Sequence, residues 1–213
     1  MASDRESSEA PTAPRRRGRP AKAVSAADNT RETIVAAAAR EFSRDGYDAT
    51  SMRGIARSAG VDPALVRHYF TDKADLFAES IAAPMRPDQL VKRALAGPRD
   101  QIGVNLVRYM VETLDVPDTS ERIVRMLHTA LGQEFAAKML RQFLIREVLK
   151  RIAKELGDDD AELRASFAAT QVVGLVVARY GLKVEPLASA SAAEVVSRVG
   201  PVVQWHLVGN PLP

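Results

Sequence analysis

Arg67, His68 and Tyr69 stand consecutively, and Lys73 follows four residues after the tyrosine. A second group, Arg15, Arg16, Arg17, Arg19 and Lys22, is packed into the eight residues RRRGRPAK. Such groups recognise polyanions. Arg takes a phosphate or a guanine edge through two parallel N–H bonds, and Lys holds a phosphate as a point charge. Sequence signatures of covalent or metal chemistry are missing. The chain has no Cys, which excludes disulfides and thiolate metal sites. It contains no GxSxG elbow, HExxH, Walker loop or GxGxxG. His68, His128 and His206 lie far apart, and none has a ligand partner at helical spacing. No metal, cofactor or enzymatic activity is expected.

The formal net charge of +3 is unevenly placed. Of 30 cations and 27 acids, six and three fall in residues 1–23, which leaves 24 of each for the rest. A Pro/Ser/Ala-rich, charge-rich segment cannot bury enough apolar surface to order itself. It reads either as a solvated leader or as a basic arm that tracks a nucleic-acid backbone or enters a minor groove. The polar N-terminus has no signal-peptide core, and the apolar runs are shorter than a membrane span. A cytoplasmic protein without membrane contact is expected.

The elements that must position these cations follow a helical period. Asn29 and Glu32 have capping-box spacing, Ile34, Ala38 and Phe42 recur at i, i+4 and i+8, and Gly46 is a C-terminal stop. Thr50 or Ser51 caps a second helix with Met52, Ile55, Ala56 and Ala59 inward, and Gly60 ends it. A third opens at Asp62 and Pro63, turning Val66 and Phe70 inward and Ala64, Leu65, Arg67 and His68 outward. Thr71 or Asp72 begins a fourth, carrying Leu76, Phe77 and Ile81, and Pro84 stops it. Two helices across a tight Ala-Gly-Val turn form a helix-turn-helix pattern. A plain helical hairpin in a bundle has the same spacing. The outward Arg-His-Tyr row beside so short a core stripe favours a helix presented to DNA.

Residues 30–81 resemble the DNA-binding domain of the TetR family of bacterial transcriptional repressors. The motifs that carry the resemblance are IVAAAAREFSRDGYDATSMRGIARSAGV and VRHYFTDKADLF. It implies that the third helix enters the major groove and that a homodimer reads two half-sites of a pseudo-palindrome. It also implies phosphate contacts from Thr50, Ser51 and Arg53, groove or backbone contacts from Arg67 and Tyr69, and a phosphate contact from Lys73. Two positions depart from the family pattern. Leu65 replaces the usual Thr or Ser, which exchanges a base-edge hydrogen bond for contact with a thymine methyl. Arg67 replaces the usual Tyr, and it can read a guanine or hold a phosphate. The segment RRRGRP also resembles an AT-hook core.

Residues 84–213 read as further helices, with no strand alternation and no repeat. The first carries Ile102, Leu106, Met110 and Leu114, and the second Ile123, Leu127 and Leu131. An amphipathic run from Glu134 to Leu156 ends at Gly157. The next helix carries Leu163, Phe167, Gln171, Gly174 and Ala178. The last begins at a Ser191/Glu194 capping box and carries Val195, Val199 and Val203, with Pro201 either kinking it or starting a separate turn. The TetR resemblance implies that this half binds an effector and dimerises, and VVARYGLKVEPLAS resembles an actinobacterial-type subgroup.

Asn105, Tyr109, Met110, His128, Phe143 and Gln171 are the candidates for an effector pocket. Each polar one among them could equally be a satisfied core or interface group. Gly174, Ala178, Val195 and Val199 are candidates for a dimer seam, since small residues allow close helix approach. The expectation is an all-α, TetR-like chain: a basic arm over 1–23, a three-helix reading head over 24–83, and an effector and dimerisation domain over 84–213. Its expected partners are a double-stranded DNA operator, a second copy of itself and a small, largely apolar effector that releases it. The alternative is a constitutive or architectural DNA-binding protein with no ligand.

Overall fold

The computed structural model describes residues 26–209, which form eleven α-helices and no strand. The head consists of α1 (Ala26–Ala49), α2 (Met52–Ala59), α3 (Pro63–Tyr69) and α4 (Lys73–Ser80). The body consists of α5 (Pro87–Ala94), α6 (Ile102–Leu114), α7 (Pro117–Gly132), α8 (Glu134–Leu144), α9 (Lys150–Leu156), α10 (Ala161–Val176) and α11 (Ala192–Val208).

Local signals bound the short head helices. Gly46 takes φ 84° and breaks α1 just before its last turn. Ser51 caps α2, its Oγ accepting the Gly54 N–H at 3.1 Å. Gly60 ends that helix at φ 69°, and the N–H groups of Gly60 and Val61 return to the carbonyls of Arg57 and Ala56. Asp62 caps α3 at Ala64 N (2.7 Å), and Asp72 caps α4 at Asp75 N (2.8 Å). Each cap contributes about 1 kcal/mol. Such helices are marginal alone, and Ile34, Phe42, Ile55, Val66, Phe70 and Phe77 hold them together as one buried core.

Two boundaries differ from the sequence expectation, and one open alternative closes. Asn29 and Glu32 do not cap α1, which already runs from Ala26, and the Asn29 carbonyl accepts the Thr33 hydroxyl at 2.8 Å. Helix α5 was not anticipated. Its first residue is Pro87, and the preceding Arg86 forms an ion pair with the buried Asp75 of α4. Pro201 neither ends α11 nor separates a turn from it.

In the body, α6 and α11 pack so closely that a Cβ on Gly103 would collide with the Gln204 backbone. Gln204 also supplies the missing cap of α6, accepting the Gly103 N–H at 2.6 Å and donating to the Arg99 carbonyl at 2.9 Å. Helices α8 and α9 form one rod joined by a π-helical turn, Ile145–Leu149, in which the Lys150 N–H reaches back to the Ile145 carbonyl. The rod ends at Gly157 with φ 73°. A second π turn, Val177–Gly181, extends α10 and holds Arg179 only 7% exposed. That guanidinium pairs with Asp115 at 3.1 Å and donates to the Leu187 carbonyl at 2.6 Å. The Ser191/Glu194 capping box is formed as expected.

The head and body cores touch. Leu140 and Phe143 of α8 sit in the head's cluster, and Met126 and Leu127 of α7 pack against both.

Candidate DNA-binding face and effector cavity

Helices α2 and α3 present one solvent face. On it Ser51, Arg53, Ala64, Arg67 and His68 are exposed, while Leu65 and Tyr69 are half-buried. Tyr69 meets His68 edge to face, with ring centroids 5.1 Å apart. Arg57 is exposed on the same helix as Arg53, and sequence reasoning passed over it. No ion pair engages Arg53, Arg57 or Arg67 among the described residues. The head's other cations are partly spent: Arg31 pairs with Glu79 at 2.7 Å, and Arg44 with Glu41 and Asp45.

Two expected phosphate contacts are engaged internally instead. Thr50 is 4% exposed, and its hydroxyl donates to the Gly46 carbonyl at 2.8 Å, so it offers no side-chain contact at the surface. Lys73 Nζ donates to the carbonyls of Tyr47 (2.9 Å) and Thr50 (3.2 Å) and lies 4.5 Å from the centre of the Tyr47 ring. Here the lysine closes the turn between α1 and α2. Burial lowers its pKa by disfavouring the charged form. Arg15, Arg16, Arg17, Arg19 and Lys22 lie outside the described residues.

The body holds a partly open cavity of about 180 Å³ lined by residues of α5 to α11. Every lining side chain is Ala, Val, Leu, Ile or Met, among them Leu106, Met110, Leu140, Val148 and Val172. Of the six pocket candidates, only Met110 reaches it. Asn105 is occupied with the Ala96 carbonyl at 2.8 Å, and His128 is exposed. Tyr109 is half-buried away from the cavity, and Gln171 is a half-buried neighbour of Thr170. Phe143 belongs to the head cluster, 4.7 Å from Phe77 and 5.6 Å from Tyr47 between ring centroids. Helical periodicity marks a residue as inward without saying which core it enters, and that is why these assignments moved.

The seam candidates divide as well. Val195 is 2% exposed inside the body core, and Val199 packs on that core. Gly174 is exposed with open space around it, and Ala178 is half-buried. The uncovered apolar face comes instead from Leu163 (60% exposed) and Phe167 (51%) of α10 and Trp205 (43%) of α11. Phe167 stacks on His206 at 5.9 Å. By length and composition Ala161–Gly181 could cross a membrane. Its inner residues Ala165, Ala168, Leu175 and Val176 are built into the body core.

The π turn Ile145–Leu149 belongs to both regions. Val148 and Leu149 line the cavity. On the other side, Glu147 accepts the Tyr47 hydroxyl at 2.8 Å, and Arg146 pairs with Asp48 at 2.8 Å. Glu147 is itself held by Arg151 at 2.5 Å. The Tyr47 hydroxyl is pushed well above its ordinary pKa, first by burial and then by its bond to the Glu147 carboxylate. It is therefore a fixed donor. The cavity wall and the turn that leads into α2 are thus joined by two side-chain contacts, Tyr47–Glu147 and Arg146–Asp48.

Comparison with known proteins gives matches in both regions. Residues 34–80 match the family model described as "Bacterial regulatory proteins, tetR family". Residues 100–207 match "Tetracyclin repressor-like, C-terminal domain". The HTH-type transcriptional regulator UidR of Escherichia coli K12 is 35% identical over 130 residues, which are 58% of this chain and 59% of UidR. The chain thus aligns with little more than half the length of that relative. The HTH-type transcriptional regulator BetI of Rhizobium meliloti is 30% identical over 188 residues, 84% of this chain and 90% of BetI. A solved TetR-family regulator from Streptomyces coelicolor A3 is 36% identical and covers 84% of this chain and 94% of its own, with a TM-score of 0.45.

Proposed function

The chain belongs to the TetR family of bacterial transcriptional regulators, and from that premise we propose that it is a homodimeric repressor released from a pseudo-palindromic operator by a small apolar effector. One observation carries this reading: the π turn Ile145–Leu149 is both a wall of the apolar cavity and the seat of Tyr47 and Asp48. A molecule that binds more tightly when that wall has moved shifts the head away from its DNA-bound arrangement, by as much as its affinities for the two states differ.

The reading face is α3 with the flank of α2. Arg67 reads a guanine edge or a phosphate, Leu65 contacts a thymine methyl, and Ser51, Arg53 and Arg57 hold phosphates. His68 and Tyr69 border the groove. Lys73 supports the face from behind by closing the Tyr47–Thr50 turn. The two copies pair through Leu163, Phe167, Gly174 and Trp205, because an apolar face this exposed on α10 and α11 favours burial. Two heads on a two-fold site supply the affinity that one head lacks.

The cavity's size favours a second reading. At about 180 Å³ it is smaller than most drug-sized pockets, as suits a constitutive DNA-binding protein whose cavity is only a packing defect. One experiment separates the two. Genomic fragments bound by the purified full chain are selected, the recovered site is footprinted, and release is assayed against a panel of small apolar molecules. A two-fold footprint released by a panel member supports the repressor. A footprint that no apolar molecule disturbs supports constitutive binding, and no preferred fragment at all rejects both.

A further inference from the structure

A second void lies beside the apolar cavity, and the two share a partition. It is a cleft of about 470 Å³ between the head and the body, bounded by α1 and α4 on one side and by α7 and α8 on the other. Met126 and Leu140 line both spaces. Phe77 and Ile81 add an apolar floor to the cleft, while Arg122 and Arg125 stand on its rim with no acidic side chain in its lining.

The two spaces differ in chemistry. The cavity has no polar group with which to orient a ligand, so any polar end must sit outside it. The adjoining cleft offers two guanidinium groups. Arg122 has no ion pair among the described residues; its Nε makes a long 3.3 Å bond to the Asp118 carbonyl, and the Glu79 carboxylate lies within its electrostatic reach. Arg125 pairs with Glu121 at 3.3 Å, but both partners are two-thirds exposed or more, and such pairs hold weakly. Methionine has three rotatable bonds and yields readily, so Met126 can turn aside and join the spaces.

We propose that the effector is an aliphatic carboxylate, its anion held by Arg122 and Arg125 in the cleft and its chain threaded past Met126 into the cavity. The planar carboxylate matches the guanidinium fork. An apolar cavity of about 150 Å³ takes a benzene ring, so a cavity of about 180 Å³ takes a terminus of similar bulk or slightly more. The carboxylate end then lies against α4, between Ile81 of the head and the Arg pair of the body. This inference rests on the effector reading above and names its ligand class.

The test is calorimetric titration of the full-length dimer with octanoate, octanol and octyltrimethylammonium, all below micelle formation, followed by hexanoate and decanoate. Octanoate should bind at least tenfold tighter than octanol, and the cation should bind weakest. Affinity should rise about fourfold per added carbon until the cavity is full. The exposed pair Arg122→Gln/Arg125→Gln should fold normally and abolish the octanoate preference while leaving octanol binding unchanged. Met126→Trp should remove the chain-length increment. If octanol binds as tightly as octanoate, the carboxylate assignment is overturned and an apolar effector stands. Binding of none of these molecules overturns this proposal, and with failure of the apolar panel it removes the effector reading too.

Discussion

The Tyr47 hydroxyl donates a 2.8 Å hydrogen bond to Glu147, tying the end of α1 to the π turn that walls the body cavity. Tyr47 is fully buried among Phe42, Phe77 and Phe143, and its carbonyl receives Lys73. Displacing Glu147 therefore pulls on a ring that the whole head core surrounds. Tyr47→Phe keeps the ring and removes this hydrogen bond, leaving the Arg146–Asp48 pair as the remaining polar link. The substitution should cost about 1.5–3 kcal/mol in stability, as for a hydrogen bond to a charged partner, and change unliganded operator affinity little. Effector-induced release should weaken more than operator binding does. Anisotropy titrations of labelled operator, with and without effector, measure both. A variant released as readily as the parent argues against this route.

On the proposed reading, Arg67 and Leu65 are the residues that read bases. Arg67→Ala should cost about 1–3 kcal/mol per half-site and relax preference at one base pair if the guanidinium reads guanine. If it holds a phosphate, binding should weaken evenly on all sequences, with a smaller salt slope. Leu65→Ala should alter preference at a thymine and leave the salt slope alone. Selection from a randomised half-site distinguishes these results. Parental affinity in the double variant would show that α3 does not read the operator.

Phe167 and Trp205 are the aromatic members of the uncovered α10/α11 face. Phe167→Glu with Trp205→Glu sets like charges across the proposed two-fold, with no carboxylate needed inside the monomer core. Sedimentation should show a dimer for the parent at micromolar concentration and a monomer for the variant. Operator affinity should fall at least a hundredfold, since one head then acts alone. A parental dimer in the double variant would move the interface elsewhere.

On the proposed reading, the cations of residues 1–22 would supply attraction for DNA that the head lacks. Residues 24–80 hold seven cations (Arg31, Arg40, Arg44, Arg53, Arg57, Arg67 and Lys73) against nine acids, so the head alone is slightly negative. If about four arm cations displace counterions, deleting residues 1–22 should flatten the log K against log[salt] slope by roughly 3.6 per protomer. Preference for A·T flanks should fade while the core operator is still read. An unchanged slope and affinity would make the arm a solvated leader.

Much of the head was legible because its signals are local. Ser51, Asp62 and Gly60 act within a few residues of their own positions, and each stands where the spacing put it. The body was less so. The apolar positions Leu163 and Phe167 of α10 were read from the sequence, but which residues of α11 stand beside them depends on how α11 rotates against α6, and that rotation buries Val195. The π turns carry no sequence signature, because packing stabilises them. Helix α5 was missed because Pro84 reads only as the stop of the fourth helix, and Pro87, which opens α5, received no reading of its own. Lys73 matched a phosphate contact by motif, yet in the folded chain two carbonyls and an aromatic ring claim it first.

The central claim is that cavity and operator are coupled, and linkage tests it directly. The tightest-binding apolar ligand is titrated into the dimer alone and into the dimer saturated with operator. Coupling between two binding sites is reciprocal. The account therefore predicts that operator weakens ligand binding by the same factor by which ligand weakens operator binding, about fivefold or more for coupling of the usual size. Equal ligand affinity with and without operator would contradict it.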